Sequence, residues 1–340
     1  MAILIDAGQL QDRLQPTTTV DGWQRFVDAD PVDFPLLAED QWSALSSPQR
    51  LRYDEARIAH HAELVVVTTS AIREINHEGR LLALMNQREK GARRGLIVSG
   101  AAATGKTTAI KQLGRLHELR VRARYPGGGD RIPVVYVTAP PKGSPRKMAM
   151  EFARFLGLPA SSRANATDIA DAVCQLLIDV RCELVIVDEL HNINMATSAG
   201  EDHSDHMKYL TEHLPATFIY AGIDIERTGM FTGVRGRQLA GRCVLVATGP
   251  FPYHDEWRQL VAGMESALRL HRHEPGSLAA LAQYLHHRTG GMIGSLSHLI
   301  RAAAIRAILD GTEALTQAAM DAVRIDHAAE SASRRVSSRR

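Results

Sequence analysis

The sequence predicts an α/β fold in which five parallel strands form a sheet flanked by helices, followed by a smaller domain made of helices alone. Two observations carry this prediction. Short apolar runs rich in β-branched residues alternate with longer amphipathic runs through the middle of the chain, as in parallel sheets that are buried on both faces. The last third of the sequence keeps a helical period without such runs. The 340 residues suffice for about two domains of ordinary size.

The composition is that of a folded globular protein, with 45% hydrophobic and 23% charged residues. The 40 lysines and arginines nearly balance 38 acidic residues, so the net charge of +2 argues against a uniformly basic surface and leaves local patches for nucleic acid. The first residues lack the pattern of a secretory signal, and no run approaches the ~18 apolar residues of a membrane span. Three cysteines without a CxxC pair suit a reducing compartment. We therefore expect a cytoplasmic protein with no membrane partner.

The amino-terminal part of the chain is predicted to be an extended arm with little helix. Residues 1–50 are assigned to a partly extended arm, because residues 21–40 combine six acidic residues with Pro31 and Pro35. Residues 52–90 are predicted to be helical, with a break near Gly79. These helices are placed with the α/β domain, which is assigned residues 51–252.

The predicted sheet and the helices around it follow from the apolar pattern. The strands are residues 95–100, 133–139, 183–189, 216–222 and 243–249, and the helices between them are residues 106–122, 145–157, 167–180 and 203–213. Pro252 and the period beyond it predict helices only, and residues 253–325 are assigned to a helical lid domain. The last ten residues contain four arginines and no acidic residue, which predicts that residues 326–340 form a disordered basic tail.

A phosphate-binding loop is the strongest motif in the sequence. The GxxxxGK[ST] pattern is matched in full by Gly100, Ala101, Ala102, Ala103, Thr104, Gly105, Lys106 and Thr107, and Thr108 follows in the same site. The loop joins a predicted strand to a predicted helix, so its amides and the positive end of the helix dipole would face a phosphate. Lys106 would hold the β- and γ-phosphates, and the Thr107 hydroxyl would ligate Mg²⁺. The alternative is a glycine-containing turn with an incidental lysine, which the flanking elements disfavour.

An acidic pair lies at the carboxyl end of the third predicted strand. Asp188 would support Mg²⁺, and Glu189 would orient or deprotonate the attacking water. Roughly 80 residues separate Lys106 from Asp188, so we expect a later strand to be inserted between their strands, as in P-loop ATPases of the Asp-Glu type. The alternative is that the pair caps the next helix. His191 is either a hydrogen-bond partner of Glu189 or a histidine of a turn.

Three segments together resemble a known family, and they read GLIVSGAAATGKTTAI, LVIVDELHNI and RGRQLAGRC. The resemblance is to the TniB-type AAA+ ATPases of bacterial transposons, and it covers roughly residues 50–310. It implies a Mg²⁺-dependent ATPase that oligomerises as a ring or helical filament on double-stranded DNA. The partners it implies are a DDE transposase, recruited or activated by the assembly, and a TniQ-like target-selection protein. Arg237 and Arg242 lie where such ATPases carry an arginine that reaches a neighbour's nucleotide, although solvated loop charges or DNA contacts are alternatives.

Two positions depart from the family pattern. The threonine that commonly senses the γ-phosphate after the fourth strand is replaced by Ile223, and the anionic Asp224 beside it suits a phosphate poorly without a metal between them. The arginine often found early in the lid helix after the paired glycines is missing, and the first arginine there is Arg301. Both departures concern the rate of hydrolysis and leave nucleotide binding intact.

Basic residues provide two candidate DNA contacts, which would be insensitive to base sequence and weakened by salt. The preferred one is the loop that contains Lys142, Arg146 and Lys147. The other candidate consists of six arginines, which could equally form an ordinary solvated helix face: Arg93, Arg94, Arg115, Arg120, Arg122 and Arg124. His203 and His206 share a helix face, but no ligand set is completed around them, so solvated histidines are the preferred interpretation.

The sequence leaves three functions open. The leading one is an ATP-dependent, DNA-binding AAA+ regulator of transposition. The second is an assembly scaffold in which ATP acts as a structural staple with little turnover, and the missing threonine favours it. The third is an ATPase of the helicase, initiator or clamp-loader kind, or one that belongs to a defence system.

Overall fold

The structure is a computed structural model, and it describes residues 15–29, 34–63, 66–89, 91–141, 143–159, 164–192, 198–227, 231 and 233–325. The described residues divide into two compact units. The first unit is formed by residues 15–29 and 70–248, and the second by residues 34–69 and 249–325. The prediction assigned residues 51–252 to the α/β domain, and the structure differs from it by grouping residues 51–69 with the carboxyl-terminal helices.

The helices are numbered in chain order. They are α1 Val20–Asp28, α2 Glu39–Ser43, α3 Ser47–Ala62, α4 Ser70–Asn86, α5 Lys106–Arg124, α6 Pro145–Phe155, α7 Ala166–Asp179, α8 Ser198–His213, α9 Gly233–Ala240, α10 Asp255–Ser266, α11 Ser277–Ala280, α12 Ala282–Thr289, α13 Ile293–Leu309 and α14 Gln317–Asp321. Short 3-10 turns lie at Leu190–Asn192 and Ile225–Arg227.

The first unit is built on five parallel strands. They are β1 Gly95–Gly100, β2 Val134–Thr138, β3 Leu184–Asp188, β4 Thr217–Gly222 and β5 Cys243–Thr248, in the sheet order β2-β3-β4-β1-β5. Every residue of β3 and β4 is buried, which fits a sheet covered by helices on both faces. The predicted fold class is confirmed, and each strand begins and ends within one residue of its predicted bounds.

The strand order determines which chain segments meet at one edge of the sheet. β4 lies between β1 and β3, with Leu96 opposite Ile219 and Val187 opposite Tyr220. The inserted strand expected between the phosphate loop and the acidic pair is therefore β4. Because all strands are parallel, the carboxyl ends of β1, β3 and β4 bring residues around 100, 188 and 222 to the same edge.

The prediction of little helix between residues 21 and 40 is wrong for α1. The Thr19 side chain accepts a hydrogen bond from the Gly22 amide and so caps the helix. Trp23 and Val27, one turn apart, are both buried in the core of the first unit. Asp21 in the first turn is favourable to the helix dipole, and both prolines lie beyond the last turn. Burial of this apolar helix face therefore stabilises α1 despite the acidic composition of the segment.

The predicted break at Gly79 is also wrong, since α4 runs through it without interruption. A Cβ atom placed on Gly79 would lie 2.4 Å from Leu113 Cδ2 of α5. The glycine therefore lets α4 and α5 approach closely and does not end the helix. The chain leaves helix instead between α3 and α4.

The second unit joins α2 and α3 to α10–α14. Arg57 of α3 is fully buried, and its guanidinium donates to both carboxylate oxygens of Glu313 at 2.6 and 2.8 Å. The Asp54 carboxylate forms an ion pair with the same guanidinium. His61 Nε2 accepts a hydrogen bond of 3.1 Å from the Arg269 amide. Glu313 and Arg269, each more than 200 residues from its partner in α3, explain why α3 belongs to this unit.

Among the described residues, no single helix is long and apolar enough to cross a bilayer. The pair α12 and α13, bent by 116°, meets the criteria of length and composition only when both helices are counted together. Leu296, Leu299 and Ile300 of α13 are buried in the core of the second unit.

Candidate nucleotide-binding site

The phosphate loop connects the end of β1 to the first residue of α5. Its backbone takes positive φ angles of 152° at Gly100, 61° at Ala103 and 87° at Gly105. A Cβ atom on Gly100 would lie 2.0 Å from the carbonyl oxygen of Thr248 in β5, so only glycine fits there. This curl turns the loop back over the amino end of α5, where free amide groups and the helix dipole favour an anion.

Lys106 is held inside the loop. Its side-chain ammonium donates to the carbonyl oxygens of Gly100 at 2.9 Å and Ala101 at 2.6 Å. Burial lowers the pKa of Lys106, while Glu189 and Asp188 oppose that shift. The loop therefore places one positive charge where the sequence predicts a phosphate.

Asp188 is the most extensively hydrogen-bonded group of the site, and it is buried. Its Oδ2 accepts from the Thr107 hydroxyl at 2.8 Å and from the Tyr136 hydroxyl at 2.9 Å, and its Oδ1 accepts from the Glu189 amide at 2.8 Å. Burial first, and then the Asp188 charge, raise the pKa of Tyr136, so this hydroxyl stays a neutral donor. The carboxylate is thus fixed in orientation by three donors.

The residues present fit a magnesium ion. A hydroxyl and a carboxylate 2.8 Å apart are the hard oxygen ligands that Mg²⁺ takes when phosphates and waters complete its shell. Within the described part of the chain, no group of three or more histidine, cysteine or acidic residues could hold a metal by itself. A metal at Thr107 and Asp188 would consequently depend on the phosphates of a bound nucleotide.

Glu189 directly follows β3 in a left-handed backbone conformation, with φ of 55°. Such a conformation is strained for a residue with a side chain, and strain of this kind is often found at functional sites. The Glu189 side chain is 43% exposed, so water reaches its carboxylate. The geometry suits a base that acts on a water molecule.

His191 lies between Glu189 and the end of β4. Its Nδ1 is 3.4 Å from Glu189 Oε2 and accepts a hydrogen bond of 3.3 Å from the Ile223 amide. A single Nδ1 serves one of these partners at a time, since accepting needs its lone pair and donating needs a proton. His191 thus contacts both the acidic pair and the segment where the family's threonine would lie.

The segment after β4 is anchored to β1. The Ser99 hydroxyl accepts from the Ile225 amide at 3.1 Å and donates to Glu226. Asp224 has a positive φ of 45° and lies close enough to Lys106 to influence its pKa. Ile223 supplies a backbone amide here and no polar side chain, as the sequence indicates.

Arg242 lies away from the phosphate loop of its own chain. Arg242 immediately precedes β5, and its carbonyl accepts a hydrogen bond from the Gly95 amide at the start of β1. β1 and β5 are parallel and six residues long, so the two ends are separated by roughly 20 Å. Arg237 is exposed on α9.

Other arginines noted in the sequence have structural partners. Arg301 donates to the carbonyls of His61 and Ala62 and so caps the end of α3 within the second unit. Arg115 donates to the carbonyls of Val27 and Ala29, both at 3.0 Å. Arg122 pairs with Glu118 and Asp28. Two of the candidate DNA contacts therefore hold α1 against α5.

The remaining candidate DNA contacts differ in how exposed their side chains are. Arg94, Arg120, Arg124 and Lys147 are exposed, whereas Arg93 is half-buried. Arg146 donates to the Ala164 carbonyl at 3.0 Å. Lys142 and the side chain of His203 lie outside the described residues.

Sequence reasoning missed three side chains of this site: Tyr136, Ser99 and Glu226. Tyr136 reaches Asp188 only because β2 pairs with β3, with Thr138 opposite Asp188. Ser99 and Glu226 meet because β1 pairs with β4. A tyrosine within an apolar strand and a serine one residue before the loop carry no local signal of these roles.

Comparisons with known proteins agree with this fold. The model of the family described as "Bacterial TniB protein" matches residues 57–233, which is just over half of the chain. Among the curated proteins compared, none matches.

Solved structures of ORC and Cdc6 proteins share the fold at low sequence identity. The ADPNP–ADP complexes of the Aeropyrum pernix ORC2 protein have a TM-score of 0.62 and 17% identity, over 78% of this chain and 69% of that one. The Aeropyrum pernix ORC1 protein in complex with DNA has a TM-score of 0.59 and 16% identity, over 79% of this chain and 66% of that one. Cdc6p from Pyrobaculum aerophilum has a TM-score of 0.53 and 15% identity, over 81% of this chain and 67% of that one. At these identities the likeness shows the fold alone, which is that of AAA+ P-loop proteins.

Proposed function

Because this chain belongs to the TniB family of bacterial proteins, we propose that it is an ATP-dependent, DNA-binding AAA+ regulator of transposition. The observation that carries the proposal is the hydrogen bond of 2.8 Å between the Thr107 hydroxyl and the Asp188 carboxylate, with Glu189 next in the chain. It joins the phosphate loop to the acidic pair at one edge of the sheet. That arrangement supports binding and hydrolysis of ATP with Mg²⁺.

The residues of the site divide the work of hydrolysis. The loop amides and the Lys106 ammonium bind and orient the β- and γ-phosphates of ATP. Thr107 and Asp188 would hold Mg²⁺, which neutralises phosphate charge when bound. Glu189 orients a water and accepts its proton on the exposed carboxylate as the water oxygen bonds to the γ-phosphorus and the bond to the bridging oxygen breaks.

The position of Arg242 supports a proposal that copies of this chain oligomerise. With roughly 20 Å between the two ends of the strands, Arg242 does not reach the nucleotide of its own chain. A neighbouring copy, in a ring or helical filament, would receive it, and a guanidinium on the transferring phosphoryl group supplies a large rate factor. Arg237 is the second candidate for this role.

The proposed partners are double-stranded DNA, a transposase and a TniQ-like target-selection protein. TniB family membership supports transposition as the process. We place the DNA contact first at Lys142 and at Arg146 and Lys147, which lie in the first turn of α6 and not in a loop. We place it second at Arg120 and Arg124, which keep exposed guanidinium groups while Arg115 and Arg122 are engaged. The cytoplasm is the proposed location.

The central test is whether nucleotide and DNA binding depend on one another. We expect Lys106→Ala to abolish binding of both ATP and duplex DNA, and Glu189→Gln to retain both while losing phosphate release. Filter binding, electron microscopy with duplex DNA and an ATP analogue, and a phosphate-release assay measure these outcomes. Lys208→Ala is a matched control, because Lys208 is exposed and pairs with Glu212 away from the loop. If Lys106→Ala bound DNA as tightly as the wild type in ATP, the coupling would be refuted.

A second function is favoured by two observations. Ile223 provides no polar side chain near the γ-phosphate position, and Arg301 is engaged in capping α3. These features suit a scaffold in which ATP stabilises the assembly and turns over slowly. Phosphate release measured with and without duplex DNA separates the two functions, since the scaffold would show no stimulation.

A further inference from the structure

Lys111 of α5 is a cation near the acidic pair that the proposed mechanism does not use. It follows Lys106 by five residues, which is about 7.5 Å of helix rise. The residue is half-buried, and its ammonium forms no hydrogen bond or ion pair with any described residue. Burial lowers the pKa of Lys111, while the Asp188 charge acts in the opposite direction. The ammonium therefore lies within the field of Asp188 without pairing with it.

The ammonium of Lys111 lies over the ring of Tyr136 in β2. Its nitrogen is 4.8 Å from the ring centroid, within the ~6 Å at which a cation is attracted to the face of an aromatic ring. Tyr136 is the residue whose hydroxyl donates to Asp188 Oδ2 at 2.9 Å. A single side chain thus separates Lys111 from the carboxylate that is proposed to hold Mg²⁺.

The charge on Lys111 acts on that hydrogen bond through the ring. A cation over the face of a phenol draws electron density towards itself, so the hydroxyl becomes a stronger donor. Tyr136 is 3% exposed and Asp188 is 2% exposed, so solvent and salt screen this effect little. The stronger hydrogen bond holds the Asp188 carboxylate more firmly in one orientation.

Trp23 of α1 packs against the same ring. The indole is stacked on Tyr136 with 5.8 Å between the ring centroids and 13° between the ring planes. Its N–H donates to the buried carboxylate of Glu118, which fixes the indole in place. The Tyr136 ring therefore keeps this aromatic contact when Lys111 is replaced by an unbranched apolar side chain. The contribution of the lysine charge can thus be separated from the packing of the ring.

We infer that Lys111 is a positioning residue for the magnesium ligand: its ammonium strengthens the hydrogen bond from Tyr136 to Asp188 and so raises the affinity of the site for Mg²⁺. This role rests on the proposed function, in which Thr107 and Asp188 would hold Mg²⁺ beside a bound ATP. Lys111 itself transfers no proton in this role. Partners that orient a metal ligand commonly alter metal affinity, and Lys111 would do so through one intervening side chain.

The test measures how much Mg²⁺ strengthens the binding of a non-hydrolysable ATP analogue to the full chain, by calorimetry in EDTA and in Mg²⁺. We expect Lys111→Met to reduce this gain by about three- to tenfold, the factor that a partly desolvated cation–π contact contributes. Affinity in EDTA should stay unchanged, because Lys106 and the loop amides remain. Lys111→Arg should keep most of the gain, because a guanidinium also binds the ring face. Lys208→Met is the control, since Lys208 is exposed and pairs with Glu212.

A double variant tests whether Lys111 acts through the hydroxyl. Lys111→Met added to Tyr136→Phe should reduce the gain from Mg²⁺ no further than Tyr136→Phe alone, because the hydroxyl is already absent. The assigned role is overturned if the Lys111→Met and Lys208→Met proteins gain equally from Mg²⁺, or if the loss from Lys111→Met is undiminished in the double variant. It is also overturned if Lys111→Met weakens binding in EDTA as much as in Mg²⁺, since the lysine would then be merely structural. A wild-type protein that binds the analogue without any gain from Mg²⁺ would refute the proposed magnesium site itself.

Discussion

The hydrogen bond from Tyr136 to Asp188 gives a sharp test of the site. Tyr136→Phe removes only the hydroxyl that donates to Asp188 Oδ2 at 2.9 Å. A hydrogen bond to a charged group contributes about 1.5–3 kcal/mol, and 1.4 kcal/mol corresponds to a factor of ten. Residues that orient a metal ligand typically alter metal affinity by 10–100-fold. We therefore expect the Mg²⁺ concentration for half-maximal ATP hydrolysis to rise by about 10–100-fold.

The assay is a magnesium titration of phosphate release at saturating ATP, with nucleotide binding in EDTA measured alongside. Binding without metal should be unchanged, because Lys106 and the loop amides are untouched. Tyr209→Phe is the matched control, since Tyr209 donates to the Asp171 carboxylate on the surface, away from the loop. An unchanged magnesium requirement in the Tyr136 variant, or an equal rise in the control, would refute the assigned role of this hydrogen bond.

Three further outcomes are expected. Gly100→Ala should abolish ATP binding in filter assays and lower the melting temperature, because its Cβ would lie 2.0 Å from the Thr248 carbonyl. His191→Ala should leave ATP affinity unchanged and lower kcat by about fivefold in steady-state assays, the effect of one hydrogen bond of roughly 1 kcal/mol. Although burial acts to raise the pKa of Glu313, its bonds to Arg57 and to the His271 amide hold that pKa below 4.5, so the pair stabilises the second unit above this pH. That stability should be lost as the pH falls below about 4.5 towards the lowered pKa, and thermal melts of Glu313→Gln should lose this part of the pH dependence.

Much of the fold was predictable because its signals are local. Each strand is a short apolar run, and the phosphate loop is a continuous motif whose glycines are required by the backbone itself. Asp188 and Glu189 could be placed because they follow an apolar strand directly. The spacing of the two motifs, together with the Asp-Glu pattern of P-loop ATPases, predicted the insertion of a later strand, which is β4.

The tertiary structure decided the contacts between residues distant in sequence. Tyr136 reaches Asp188 from a neighbouring strand, and Arg115 is engaged by the end of α1. Arg57 brings α3 to Glu313, 256 residues away, although its helix reads as part of the first unit. A helix pattern reveals which face is buried but not which surface covers it, because burial of apolar area has no direction and many partners satisfy it equally. The sequence alone determined the secondary-structure elements and the phosphate loop, and tertiary packing determined which elements contact one another.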